Sequence, residues 1–324
     1  MRISNAVCTI KSNNYTISCV ISFVAVISFL IIVEGNNYDR HIGLKATSAN
    51  TDDIGNGSKV DSENARQLDR FGVKKIYETK SGGREWYVNM DDPYTDPWFI
   101  LGDVELEKQQ DGSWRLGGIN ISQQFNDKYH ILLEVITPPS QEEWRDVEIT
   151  GYARIIAASE DEDEVGLQWY ARGGHHTDEA PCEGTSLKGR LLVDGTANWK
   201  KEIWHSGGYT DSSETMQATS QPLIGRWIGW KVIMYNIENN TAVKMESYID
   251  NENNNTWSQV TDLIDDGGWF AASWDEEFYS ADCGIAKDHI ITNSGPVASF
   301  RSDGIVWDFR DLSIREIQPP LPDK

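Results

Sequence analysis

The chain has 324 residues, and its 29 Lys and Arg against 51 Asp and Glu give a formal charge of −22. No basic stripe interrupts the acidic excess, so nucleic acid, which is gripped through its phosphates, is excluded as a partner, and anionic membrane surfaces are disfavoured. With 39% hydrophobic residues and 13 Trp, 12 Tyr and 9 Phe, the composition is that of a folded chain with an ordinary core.

Ile17 to Val33 form an uncharged apolar run of 17 residues. Its length falls between a signal-peptide core of about 7 to 15 residues and a spanning helix of about 17 to 25. No small-x-small cleavage site precedes Glu34, which favours an uncleaved anchor over a cleaved signal. Arg2 and Lys11 before the run place the short amino-terminal end in the cytoplasm and the remainder outside. Residues 1–34 are therefore expected to be a signal peptide or membrane anchor and the only part that meets a membrane, which makes the protein extracellular or cell-surface.

Two of the four cysteines, Cys8 and Cys19, fall before or within this run. The other two, Cys182 and Cys283, are expected to pair as one disulfide in an oxidising compartment. It would close a loop of about 100 residues, worth roughly 4 to 5 kcal/mol in chain entropy. Asn56, Asn120, Asn239 and Asn254 each begin a triplet that permits glycosylation.

Residues 35–67 are rich in Asn, Ser, Asp and Gly and read as a flexible polar linker. From 68 to 318 the pattern changes to short alternating apolar stretches separated by Gly, Asn, Asp and Pro, and 319–324 is a tail. Alternation predicts strands at Glu85–Val88, Phe99–Glu107, Tyr129–Ile136, Val147–Ala157, Val165–Arg172 and Lys188–Val193, then at Lys200–Trp204, Trp227–Asn236, Val243–Asp250, Ile285–Ile291 and Ile305–Ile317. No long stretch carries a capped 3.6-residue period, so the fold class expected is all-β, a two-sheet antiparallel sandwich.

The segment from Gly225 to Trp257 holds a strand with Trp227, Lys231 and Val232 in a W-x-x-x-K-V pattern, an Asn-rich turn, and a second strand ending Tyr248-Ile249-Asp250-Asn251. This hairpin resembles that of the concanavalin A-like lectin and glucanase jelly rolls, with Ile305–Ile317 in the place of the closing strand. The resemblance implies a concave sheet that binds glycan, as in lectins, carbohydrate-binding modules, glucanases and polysaccharide lyases. The E-x-D-x-E signature of the glucanases and the R-x-E-x-R, Q-I-H and Y-F-K-A-G set of the best-known alginate lyases are absent, so it implies a class of glycan-handling jelly rolls rather than one enzyme family.

Strand alternation puts Glu148, Thr150, Tyr152 and Arg154 on one polar face and Gln168, Tyr170 and Arg172 on another. If the two strands are neighbours in a concave sheet, these rows form one groove; otherwise they are solvated outer faces. A lyase acting on uronic acids needs a group to neutralise the carboxylate, a base for the C5 proton and an acid for the leaving oxygen. Arg172 and Gln168 suit the first role, His175 or His205 the second, and Tyr209 the third. Glu148, Tyr152, Arg154, Tyr170, Lys201 and Trp204 are then substrate contacts. Adjacent His175 and His176 point to opposite faces of an extended chain and do not suit zinc. Acidic clusters at Asp91 and Asp92, at 159–164, and at Asp250, Glu252 and Asn254 raise structural calcium as the one candidate cofactor. The expected partner is an anionic polysaccharide, met either by a lyase acting through β-elimination or by a noncatalytic lectin-like or adhesion module.

Overall fold

The computed structural model describes residues 9–12, 15–18, 67–102, 104–116, 130–137, 141–159, 164–174, 184–203, 208–212, 214–269, 286 and 288–320. The chain divides into two units, Met1–Asp53 and Ile54–Lys324. In the first, β1 (Thr9–Ser12) and β2 (Tyr15–Ser18) pair as an antiparallel hairpin. The rest of the expected anchor and nearly all of the polar linker lie outside the described residues. Among the described residues no helix is long and apolar enough to cross a membrane.

The second unit contributes β3 (Glu85–Tyr87), β4 (Phe99–Ile100), β5 (Leu106–Lys108), β6 (Trp114–Leu116), β7 (His130–Ile131), β8 (Glu134–Ile136), β9 (Val147–Ala158) and β10 (Gly166–Gly173). It continues through β11 (Thr185–Leu192), β12 (Thr196–Ile203), β13 (Gly208–Asp211), β14 (Met216–Gln217), β15 (Trp227–Ile237), β16 (Ala242–Asp250), β17 (Ser258–Asp265), β18 (Val297–Asp303) and β19 (Ile305–Glu316). Sheet A runs β13-β12-β11-β10-β18-β8-β4, with β14 on β12 and β7 on β18. Sheet B runs β17-β16-β15-β9-β19-β6-β5, with β3 on β19. The ladders are antiparallel and neither sheet closes on itself, so the unit is a two-sheet sandwich.

The two-residue period of each strand decides what lies between the sheets. Sheet A sends in Leu167, Trp169 and Ala171 from β10, Leu187 and Leu191 from β11, Trp199 from β12 and Phe300 from β18, all buried. Sheet B answers with Ile149, Ile228, Trp230, Val232, Met245, Trp307 and Phe309. Trp169 meets Phe300 edge-on at 5.1 Å and lies 6.5 Å from Trp307 across the interface. Two glycines allow this closeness, because a Cβ at Gly151 would lie 3.1 Å from Trp169 of the facing sheet and one at Gly189 would run into Val232.

Strands arise where none was expected at β1, β2, β6, β13, β14, β17 and β18, of which β17 and β18 are the long ones. In β18 only Ala298 and Phe300 mark the inward face, and Pro296 and Gly304 bracket the strand, so the apolar signal is short. In β17 the inward positions include Thr261 and Asp265, which breaks the apolar alternation. Conversely, the described part of Ile285–Ile291 is not a strand: His289 N–H bonds to Ala286 O at 3.1 Å and Thr292 N–H to Ile290 O at 2.9 Å, folding the backbone into local turns.

Candidate functional site

The outer face of sheet A is a polar surface built by register. Glu134, Ser299, Tyr170, Lys188 and Lys200 are successive cross-strand partners from β8 through β18, β10 and β11 to β12. Arg301, Gln168, Arg190 and Asn198 form the adjoining row, and Ser186 faces Glu202 on the other side. The inward residues of the same strands are the Leu, Trp and Phe of the core, so the apolar half of each alternation fixes where the polar half must point.

The polar groups of this face are joined in a chain. Tyr170 donates its hydroxyl to Glu134 at 3.1 Å, and Lys188 Nζ stands 4.8 Å from the centre of the Tyr170 ring and 2.7 Å from Glu202. Ser186 donates to the same Glu202 oxygen at 2.7 Å. Arg190 donates to Asn198 at 2.8 Å and reaches Glu164 at 2.9 Å, while Lys200 donates to Glu164 at 2.6 Å. Gln168 donates to Asp303 at 2.8 Å, and Arg301 grips Asp303 through two bonds of 2.7 Å. Tyr170, Lys188, Arg190, Gln168 and Glu202 are buried; Glu134, Glu164, Lys200, Arg301 and Asp303 form a partly exposed margin.

Burial, reinforced by the Glu134 charge, pushes the Tyr170 phenol well above its ordinary range, so it is a proton donor at neutral pH. Burial pulls Lys188 down, with Glu202 opposing it. Burial works against ionised Glu164 too, but the hydrogen bonds from Lys200 and Arg190 win and hold it at about 2. Lys188 thus pairs with Glu202, Arg190 and Lys200 share Glu164, and Arg301 pairs with Asp303, while Glu134 accepts from the Tyr170 hydroxyl. These four cations stand beside four carboxylates, and register sets a fifth acidic residue, Asp211 of β13, opposite Lys200, on a chain whose formal charge is −22.

The residues singled out from sequence separate into several places. Gln168 and Tyr170 lie on this face, and register sets Tyr209 opposite Glu202. Arg172 does not join them: a register shift between Tyr170 and Gly173, with Arg172 at φ +62°, turns it out of the row. Its guanidinium bonds to Arg145 O at 3.0 Å, Asn236 Oδ1 at 2.7 Å and Ile291 O at 2.5 Å, a buried tie between loops. Lys201 points between the sheets, 2.7 Å from Asp265, with both side chains fully buried.

Glu148, Tyr152 and Arg154 are on β9, which belongs to sheet B, so their row faces away from that of Gln168 and Tyr170 and the two do not make one groove. Glu148 is sandwiched between Lys231 at 2.8 Å and Arg315 at 2.7 Å, beneath the segment 67–80, whose Ile76 N–H bonds to it at 3.1 Å. Tyr152 donates to Asp250 at 3.0 Å, and Arg154 pairs with Asp308 at 2.6 Å. His175, His205, Trp204, Cys182 and Cys283 lie outside the described residues.

Glu134, Ser299 and Arg301 were missed from sequence. The available signal was the alternation of Ser299, Arg301 and Asp303 with Ala298 and Phe300 in VASFRSD. For calcium, no group of three or more His, Cys, Asp or Glu among the described residues could hold a metal ion. Asp250 accepts from Tyr152 and from the backbone N–H groups of Asn254 and Asn255, at 3.0, 3.1 and 2.6 Å, so it faces donors where a cation would need acceptors.

No protein-family model matches the chain, and no curated protein does. Among solved structures it is similar to peanut lectin, with 9% identity over 73% of this chain and 99% of that one and a TM-score of 0.38. It is also similar to alginate lyase Aly36B, with 10% identity over 73% and 98% and a TM-score of 0.37. The VIP36 exoplasmic/lumenal domain shares 9% identity over 73% and 90%, with a TM-score of 0.41. These are concanavalin A-like jelly rolls. The two-sheet fold described here rests on the strand pairings themselves.

Proposed function

We propose that this protein handles carbohydrate at the cell exterior, binding a uronate-bearing polysaccharide along the polar outer face of sheet A. The observation that carries the reading is the gathering of four cations, Lys188, Arg190, Lys200 and Arg301, on that face. A polyanion is repelled by most of a surface with so large an acidic excess, and is repelled least where guanidinium and ammonium groups are concentrated. Arg301, Lys200 and Gln168 at or beside the open margin provide donors for sugar carboxylates and hydroxyls. Export through the apolar segment Ile17–Val33 supplies the location in this reading.

The finer reading is β-elimination, and Tyr170 favours it. In that reaction a base takes the C5 proton, the C4–O bond breaks as a C4=C5 double bond forms, and the leaving oxygen takes a proton. An enclosed phenol kept protonated beside Lys188 suits the last step. His175 or His205 supplies the base in this reading. The second reading is a noncatalytic lectin-like module, favoured by the ion pairs that engage Lys188, Arg190, Lys200 and Arg301 and leave them suited to hydrogen bonding.

The test is absorbance near 235 nm, where the unsaturated uronate absorbs, with the full chain incubated against alginate, polygalacturonate and hyaluronate, together with calorimetric binding to each. A rise that Tyr170→Phe abolishes while leaving the urea-unfolding free energy within about 1 kcal/mol of wild type supports the lyase. Saturable binding without a rise supports the lectin-like module. Neither binding nor a rise on any polymer refutes the proposal.

A further inference from the structure

The outer face of sheet B is covered by the segment 67–80, which crosses it between the β16–β17 turn and the end of β19. The segment is tied down mainly by hydrogen bonds. Lys74 N–H donates to Asn255 Oδ1 at 2.8 Å, Ile76 N–H to Glu148 at 3.1 Å, and the Tyr77 hydroxyl to Glu246 at 2.9 Å. Arg315 donates to Thr79 Oγ1 at 2.9 Å, and Thr79 pairs with Ile317 in a single bridge. Of its residues, all of them described, Val73 alone is buried. A segment held by polar bonds with so little apolar burial opens locally, at a free energy below that of unfolding the sandwich.

The contact encloses carboxyl groups from both sides. Asp69, on the segment, accepts at Oδ1 from the backbone N–H groups of Phe71 and Val73, both at 2.8 Å, while Oδ2 faces the sheet, where Ser313 Oγ donates across 3.5 Å. Of the charges that face it, Lys231 on β15 and Arg315 on β19 are already bonded to Glu148 of β9, at 2.8 and 2.7 Å. Asp311 on β19 and the Tyr87 phenol on β3 bring no positive charge to it. Glu246, beneath Tyr77, accepts from the hydroxyls of Tyr77, Tyr235 and Tyr248, with Lys244 and Asp262 paired beside it.

Burial pushes the Asp69 carboxyl above its ordinary 3.8, against the pull of the Val73 and Phe71 N–H groups and of Lys231 and Arg315. Burial likewise raises Asp311, with Arg310 opposing and Asp69 adding, and raises Glu246 against the Tyr77 bond. Burial also disfavours ionised Glu148 and Glu85, but Lys231 and Arg315 hold the first at about 2, and bonds from Thr79 and Tyr87 hold the second below 4.5. Those two therefore stay ionised above pH 4.5. A carboxyl that is raised while covered binds its proton more tightly covered than free. Covering is then favoured as pH falls through the raised value, and the gain is complete below the ordinary one. We propose that segment 67–80 is a pH-sensitive strap, which takes up protons as it docks, through Asp69 with Asp311 and Glu246 adding, and so sits more firmly on sheet B in mild acid than at neutral pH. Loosened, it uncovers the row of Glu148, Lys231 and Arg315. The sheet A face has no part in this, so the inference stands apart from the reading given for that face.

The experiment is hydrogen–deuterium exchange of the full chain between pH 7 and pH 4.5, read by mass spectrometry and corrected for the intrinsic pH dependence of amide exchange. Protection of peptides covering 67–80 is expected to rise about threefold or more on acidification, relative to peptides from β10 and β18. Asp69→Asn keeps an acceptor for the Phe71 and Val73 N–H groups and removes the charge. It should raise protection of the strap at pH 7 and flatten its pH response. Strap protection that is unchanged or falls on acidification of the wild-type chain overturns the inference. So does an Asp69→Asn chain with the wild-type pH response, or one whose strap is looser at pH 7, because the Asp69 charge would then be holding the strap to Lys231 and Arg315.

Discussion

Glu148 offers the sharpest test of how this sandwich is held together, because one buried carboxylate serves two buried cations. Lys231 lies 2.8 Å from one of its oxygens and Arg315 2.7 Å from the other, and all three side chains are about 1% exposed. Burial alone would raise the Glu148 pKa, but the two cations overcome it and hold it down to about 2 from the ordinary 4.5. At about 1.4 kcal/mol per unit, that difference is worth about 3 kcal/mol to the folded state. Lys231 is pulled down by burial, which outweighs the raising effect of Glu148, and Arg315 repels it while sharing that carboxylate. The two partners therefore differ in what their removal does. Glu148→Gln strands two buried cations and should cost about 3 to 5 kcal/mol, whereas Lys231→Met leaves a one-to-one Glu148–Arg315 pair and should cost about 1 kcal/mol or less. Urea unfolding followed by tryptophan fluorescence measures both. Because the folded pKa is depressed, the contribution is complete above the unfolded value and is lost as pH falls through the folded one. The gap between wild type and Glu148→Gln should accordingly close between about 4.5 and about 2. A Lys231→Met cost equal to or above that of Glu148→Gln, or a gap that does not narrow in acid, would refute the reasoning.

Asp308 repeats this arrangement on the same sheet, fully buried between Arg115 at 2.6 Å and Arg154 at 2.6 Å, so Asp308→Asn should also cost about 3 to 5 kcal/mol by the same unfolding assay. Gly189→Ala would drive a methyl into Val232 across the interface and should lower stability by about 1 to 3 kcal/mol, while Gly225→Ala, where open space surrounds the position, is limited to the backbone cost of its positive φ of 84°. His289 is pulled down by burial and by Lys201, so the unfolded chain takes up its proton first and stability should fall as pH drops below the ordinary 6.5. Melting temperatures for His289→Asn should decline less steeply over that range, and an unchanged slope would remove His289 from the account.

The all-β class and the two-sheet arrangement were legible along the chain because alternation is a local property. Each of β9, β10, β15, β16 and β19 carries its inward and outward sets in its own sequence, and its boundaries fall within a residue or two of those read from the alternation. Gln168 and Tyr170 were likewise recognisable as one polar row on β10. Nothing local, however, says which sheet a strand joins. Glu148 and Gln168 look alike as polar residues on neighbouring strands, yet pairing sends β9 beside β15 and β19 and β10 beside β11 and β18, so the two rows face opposite ways. Nor could alternation foresee Arg172, where a register shift and a left-handed backbone reverse the direction that a regular strand would give it. Lys201 obeys alternation and still surprises, because a lysine on the inward face is tolerable only when Asp265, on a distant strand, meets it. Composition, strand periodicity and the polar character of individual faces thus belong to the sequence alone. The choice of which charges share a face, which are buried in pairs and which line the open end was made by tertiary pairing, since a charge removed from water is stable only where the fold brings it a partner.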